Sequence, residues 1–175
     1  MVRRLPRPGD QRRQQAVLNV FRMFGMMGGE RVAVGGDQAY DAARIMADGV
    51  RGARTDINAL ATRDKHSIAV MVWNYHDDDV IDAGSPVELR IAGIPAKQVK
   101  LRHFRVDNDT SNSYSAWKRM GAPANPTKAQ IAELQKASEL AQLGATSTVK
   151  TGDGKALVKM QLPRQAVSLI ILSYE

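Results

Sequence analysis

The chain has 175 residues, 43% hydrophobic and 25% charged, which suits one globular domain with a real core and excludes wholesale disorder and a bundle of membrane helices. It has no cysteine, so disulfides, thiolate zinc sites and cysteine nucleophiles are excluded together, while the compartment stays open. The net charge of +7 is concentrated at one end: residues 1–31 hold seven arginines against Asp10 and Glu30, which leaves the body nearly balanced.

Residues 1–15 combine Pro, Gly, Arg and Gln with almost nothing apolar and read as a disordered basic lead. Asn19 and Arg22 interrupt the apolar stretch that follows, and no convincing cleavage site comes after it, so the start does not read as a signal peptide. No apolar run is long enough to span a bilayer, so the chain reads as soluble. Over residues 16–27 Val17, Val20, Phe21, Phe24 and Met27 recur at helical spacing, Leu18, Met23 and Met26 widen the stripe, and Gly28-Gly29 stops it. A helix this apolar needs cover on most sides. Val17, Val20, Phe21 and Phe24 are therefore the candidate interface.

From here the chain is mainly β. Residues 32–34 form a short strand candidate and residues 38–48 a short helix before Gly49. Strands are expected over 57–62, 68–75, 87–94, 99–106, 147–151, 157–162 and 167–174, at sandwich-like intervals. Residues 68–73 and 167–172 are apolar at nearly every position and should be central strands. Val87, Leu89 and Ile91 alternate with Glu88 and Arg90, so that strand has one wet face. Between Leu101 and Phe104 the apolar phase switches, which predicts a bulge near Arg102 and His103. Gly152-Asp153-Gly154 predicts a hairpin turn. An insert over 111–143 breaks the β run: a short helix over 113–120, then a second one opened by a Thr127/Gln130 capping box with Ile131, Leu134, Ala137 and Ala141 as its stripe. Trp117 and Met120 are the expected anchors of this insert.

Little of this carries chemistry. His66, His76 and His103 stand alone, without HxH or HExxH spacing, so no metal site and no cofactor are expected. Asp77, Asp78, Asp79 and Asp82 lack the order of a calcium loop and read as a solvated turn. The glycine pairs lack phosphate-binding order, and Ser67, Ser85, Ser113 and Ser168 sit in no GxSxG elbow. Tyr114, Trp117 and Tyr75 are the candidates for a sugar-contacting face, although both tryptophans also read as core residues.

Four stretches carry a family likeness: Ala16-Val17-Leu18-Asn19-Val20-Phe21-Arg22-Met23-Phe24-Gly25, Val70-Met71-Val72-Trp73-Asn74-Tyr75-His76, Ser111-Asn112-Ser113-Tyr114-Ser115-Ala116-Trp117-Lys118-Arg119-Met120-Gly121 and Leu162-Pro163-Arg164-Gln165. In order and interval they resemble the C-terminal part of glycoside hydrolase family 39, which contains β-xylosidases and α-L-iduronidase, and the likeness is closer to the bacterial β-xylosidases. The resemblance implies an immunoglobulin-like β-sandwich over 32–175 with a helix-loop-helix insert, preceded over 16–31 by the last helix of a (β/α)8 catalytic barrel. The family's acid/base Glu, in an Asn-Glu-Pro motif, and its nucleophile Glu lie upstream on barrel strands. This chain has no Asn-Glu pair, and its glutamates are Glu30, Glu88, Glu133, Glu139 and Glu175. No catalytic residue is therefore carried over. The His that often precedes Ser-Asn in the family is Thr110 here, so no substrate contact is carried over for that loop either.

The resulting expectation is a non-catalytic accessory sandwich whose parent hydrolyses β-xylosidic bonds with retention. Its partners would be the catalytic barrel or a second copy met through the N-terminal helix. Residues 1–15 do not resemble the barrel, which reads as a truncated or frame-shifted form of a longer gene. The alternative is a stand-alone carbohydrate-binding module that takes xylo-oligosaccharide. A nucleic-acid binder driven by the arginines ranks last, and neither nucleic acid nor membrane is an expected partner.

Overall fold

A computed structural model describes residues 8–78 and 84–175, with residues 8–15 described by their backbone alone. In chain order the elements are α1 (Pro8–Gly25), β1 (Glu30–Val32), α2 (Ala42–Asp48), β2 (Asp56–Arg63), β3 (Ser67–Tyr75), β4 (Ser85–Ile91), β5 (Gln98–Val106), α3 (Ser113–Arg119), α4 (Lys128–Ala137), β6 (Ser147–Lys150), β7 (Ala156–Leu162) and β8 (Ala166–Ser173). Six strands form one sheet in the order β1-β2-β3-β8-β5-β6, and β4 pairs with β7 in a separate ribbon. Every strand pair is antiparallel.

β3 and β8 are the two middle strands, and side-chain alternation explains why they read as apolar throughout. Ile68, Val70, Ile170 and Leu172 point to the ribbon, where they pack with Ile91, Ile94 and Ala156. Ala69, Met71, Leu169 and Ile171 point the other way and pack with Met23 of α1 and Val106 of β5. The sheet is thus covered on both faces, by a ribbon and by helices, and its central strands have no wet side. β4 behaves as its alternation requires: Val87 and Ile91 are buried while Glu88 and Arg90 are exposed.

Several expectations need correction. The helix does not begin at residue 16. α1 starts at Pro8, a residue suited to a first helical turn, and the Arg and Gln that follow are good helix formers, so only residues 1–7 of the expected lead lie outside the described residues. The first strand covers Glu30–Val32 rather than 32–34. Gly29 sets this start: its φ is +80°, and a Cβ there would sit 2.0 Å from the Arg63 carbonyl oxygen, so only glycine lets the chain turn against the end of β2.

The predicted bulge is absent. β5 pairs with β8 in unbroken register from Lys100↔Ser173 to Val106↔Val167. The apolar phase changes because His103 and Arg105 occupy inward positions on the ribbon side and are satisfied there by Ser168, whose Oγ is 2.9 Å from His103 Nε2 and 3.0 Å from Arg105 Nε. The Gly152-Asp153-Gly154 turn forms, with Asp153 and Gly154 both at positive φ and reciprocal 2.9 Å bonds between Gly152 and Lys155. It joins no hairpin, however, because β6 belongs to the large sheet and β7 to the ribbon. The insert is anchored by Ser113, Ser115 and Ala116, which are buried, rather than by Trp117 and Met120, which are only half-buried. Thr127 and Gln130 form both bonds of the expected capping box.

Candidate functional site

The helical stripe of α1 divides into two faces. Val20 and Met23 face the sheet, with Ala16, Met26 and Met27 beside them, and Met23 is fully buried. Val17, Leu18, Phe21 and Phe24 lie on the opposite face and are 56%, 47%, 64% and 46% exposed. Spacings of three and four put these side chains in one row. Of the four expected interface residues, Val20 therefore belongs to the core, and Val17, Phe21 and Phe24 share the outer face with Leu18.

The inner face is locked by a residue that the apolar pattern did not reveal. Asn19 is fully buried, and its Nδ2 donates to the carbonyls of Ser111 at 3.1 Å and Ser138 at 2.9 Å. Its Oδ1 accepts from Arg22 at 2.8 Å. Ser111, at φ 56°, donates through Oγ to the Arg105 carbonyl and accepts from Ala141 N–H. Asn112 caps α3 by accepting from the N–H groups of Tyr114 and Ser115, and Asp107 Oδ1 accepts from those of Asp109 and Thr110. Ser115 Oγ donates to Asn108. The polar residues of this loop hold α1, α3 and the end of α4 together. The sequence signal was a single Asn one turn before a core Met.

The three aromatic candidates do not form one platform. Tyr114 and Trp117 stack at a centroid distance of 5.8 Å and 29°, Lys118 Nζ lies 4.7 Å from the Tyr114 ring centre, and Trp117 Nε1 donates to the Pro123 carbonyl at 3.0 Å. Tyr75 belongs to a different cluster at the end of β3. Its hydroxyl donates to Asp77 Oδ1 at 3.0 Å, which raises the phenol above its usual range and, with the Val50 amide and Arg51, holds the Asp77 carboxyl below its own. Asp77 thereby fastens the loop after α2, where Gly49 leaves it room. Asp79 and Asp82 of the acidic cluster lie outside the described residues.

An open groove of about 1000 Å³ lies between β4, β2 and residues 32–38, with Asp37 and Glu88 in its walls. Glu88 is gripped by Arg90 at 2.5 Å and Lys159 at 3.0 Å, and the Lys159 bond in particular lowers its pKa. A general acid needs the opposite shift. His76 is buried, with Nδ1 accepting from the Asp78 amide and Nε2 bonded to the Gly52 carbonyl, so both ring nitrogens are used; His66 is exposed in the β2–β3 turn. Among the described residues no group of three His, Asp or Glu is arranged to hold a metal ion. No helix among them is long and apolar enough to cross a membrane.

The family sequence model for glycosyl hydrolases family 39 matches residues 11–155. The chain belongs to this family. Solved structures repeat the family 39 fold: an enzyme of the family from Xanthomonas axonopodis pv. citri is 17% identical with a TM-score of 0.68, over 89% of this chain and 29% of that one. A monomeric β-xylosidase from Caulobacter crescentus CB15 is 21% identical with a TM-score of 0.67, over 88% of this chain and 29% of that one. A bacterial orthologue of human α-L-iduronidase is 22% identical with a TM-score of 0.56, over 69% of this chain and 22% of that one. The chain thus spans under a third of the length of each of these family 39 structures.

Proposed function

We propose that this chain is the non-catalytic accessory sandwich of a β-xylosidase-like family 39 hydrolase, and that the outer face of α1 braces it against a catalytic (β/α)8 barrel. The observation that carries this reading is the division of α1. One face is bound to the sandwich by Met23 and by the buried amide of Asn19, while Val17, Leu18, Phe21 and Phe24 stand open to solvent on the other. A monomer gains nothing from a row of apolar side chains in water. Burying such a side chain contributes about 1.5–3 kcal/mol, so the row suits a permanent contact with another apolar surface. The barrel is the occupant in this reading because the family 39 structures that match are more than three times longer than the matched segment. A second copy of the chain is the alternative occupant.

Catalysis is not assigned to this segment. Retaining glycosidases need two carboxyl groups about 5–5.5 Å apart, one of them with a raised pKa. The carboxylate best placed in a groove, Glu88, is stabilised in its charged form instead. The reading as a stand-alone carbohydrate-binding module has less support, since Trp117 is half-buried with its N–H already bonded and Tyr75 is tied to Asp77.

The test is titration of the chain with a separately produced family 39 barrel, followed by sedimentation. Binding that Phe21→Glu with Phe24→Glu abolishes supports the brace. Binding unaffected by the double variant contradicts it. Titration with xylo-oligosaccharides under tryptophan fluorescence separates the module reading, for which a flat response is the expected result.

A further inference from the structure

Among the described residues, buried polar side chains of the large sheet reach the ribbon at two places: Asn74 of β3 donates to the Leu162 carbonyl of β7 at 2.8 Å, and a second set centres on Arg105. Arg105 of β5 is buried; its Nε donates to Ser168 Oγ at 3.0 Å, and an Nη donates across the core to the Gln161 carbonyl of β7 at 3.0 Å. Opposite Gln161 in the ribbon register stands Pro86, which has no N–H, and the Gln161 carbonyl takes its donor from the guanidinium of the other sheet. Ser168 is fully buried and its hydroxyl also meets His103 Nε2 at 2.9 Å. Because Arg105 fills one lone pair of Oγ, the hydroxyl proton is free to go to His103, and the chain of bonds is complete with a neutral imidazole.

We propose that His103, Ser168 and Arg105 form an acid-sensitive latch between the large sheet and the β4–β7 ribbon. Protonating His103 turns its Nε2 into a donor and sets two cations on one buried hydroxyl oxygen. Burial, followed by the Arg105 charge, lowers the His103 pKa to about 4, so the closed latch resists protonation. The charged groups on that face are few. Asp107 lies 4.0 Å from Arg105 and offsets part of its charge. The inward residues of β8 (Ala166, Ser168, Ile170, Leu172) and of β7 (Ala156, Val158, Met160, Leu162) include no titratable group, nor does the 140–143 segment beside β5. Relief comes when Arg105 leaves the Gln161 carbonyl and the His103 ring reaches water, where it takes up its proton near 6.5.

The direction follows from linkage. The closed state is favoured fully above the ordinary histidine pKa and loses ground as pH falls from about 6.5 to about 4, the open fraction rising about tenfold per pH unit over that window and levelling below it. The experiment is NMR on the full chain. His103 ring titration is followed together with amide hydrogen exchange, corrected for intrinsic rate, in β7 and in the β2–β3 pair. The expected result is a ring that titrates near 4, with opening of β7 rising over the window while β2–β3 amides stay protected, and a flat β7 profile in His103→Gln. A ring that titrates near 6.5 overturns the proposal. So does a pH rise that persists in His103→Gln, or one shared equally by β2 and β3, which would mark global unfolding. Ring titration needs no variant, so a failure of His103→Gln to fold leaves the proposal open to refutation.

Discussion

Asn19 and Ser111 meet across 92 residues of chain, with the Asn19 amide donating to the Ser111 carbonyl in the interior at 3.1 Å. This bond joins the N-terminal helix to the loop that launches the helical insert, so α1 is part of the sandwich's own packing. Asn19→Ala removes two donated bonds, one buried and one part-buried, and takes this donor from the Ser111 and Ser138 carbonyls, while exposed Arg22 turns to water. The expected cost is about 2–4 kcal/mol, with the thermal midpoint lowered by about 4–16 °C. Calorimetry checks it, and a shift under about 1 kcal/mol would detach α1 from the account.

Replacing Phe21 and Phe24 by Glu probes the outer face. Both side chains are exposed, so stability should move by about 0.5 kcal/mol or less per site. Binding of a hydrophobic dye and concentration-dependent association should both fall. A loss of several kcal/mol would mean that the face already has an internal partner.

Leu169 and Leu157 form a matched pair of probes, one fully buried in a middle strand and the other 48% exposed on the ribbon. Leu169→Ala should cost about 2–5 kcal/mol in denaturant titration and Leu157→Ala about 0.5 or less. Similar values for the two would contradict the layer assignment of β8.

Tyr75→Phe separates a fastened tyrosine from a sugar-contacting one. Without the hydroxyl, the Asp77 pKa should rise toward its ordinary value, measured by carboxyl NMR titration. Because a depressed carboxyl stabilises the fold above its unfolded pKa and loses that contribution as pH falls through the folded one, the variant should lose its acid tolerance at a higher pH. An unchanged Asp77 titration would mean that the hydroxyl bond contributes nothing.

The sequence made the sheet's centre legible because β3 and β8 are apolar on both sides, a pattern that only doubly covered strands sustain. It also exposed the capping box at Thr127, where the signal is local. Features that depend on distant partners stayed hidden. His103 and Arg105 looked like a break in alternation, since nothing in β5 announces that Ser168, more than sixty residues on, satisfies them. Asn19 looked like a flaw in an apolar stripe because its acceptors are backbone carbonyls, which have no letter in the sequence. The stripe of α1 was visible, but its division into inner and outer faces was not: an apolar residue reads alike whether it meets its own sheet, as Val20 does, or another body, as Phe21 is proposed to do.

The most direct measurement is hydrolysis of an aryl β-xyloside by the purified 175-residue chain alone. An accessory sandwich releases no more aryl alcohol than buffer does, at any protein concentration. Turnover that scales with protein and is lost when Glu88 or Asp37 becomes its amide would contradict the account.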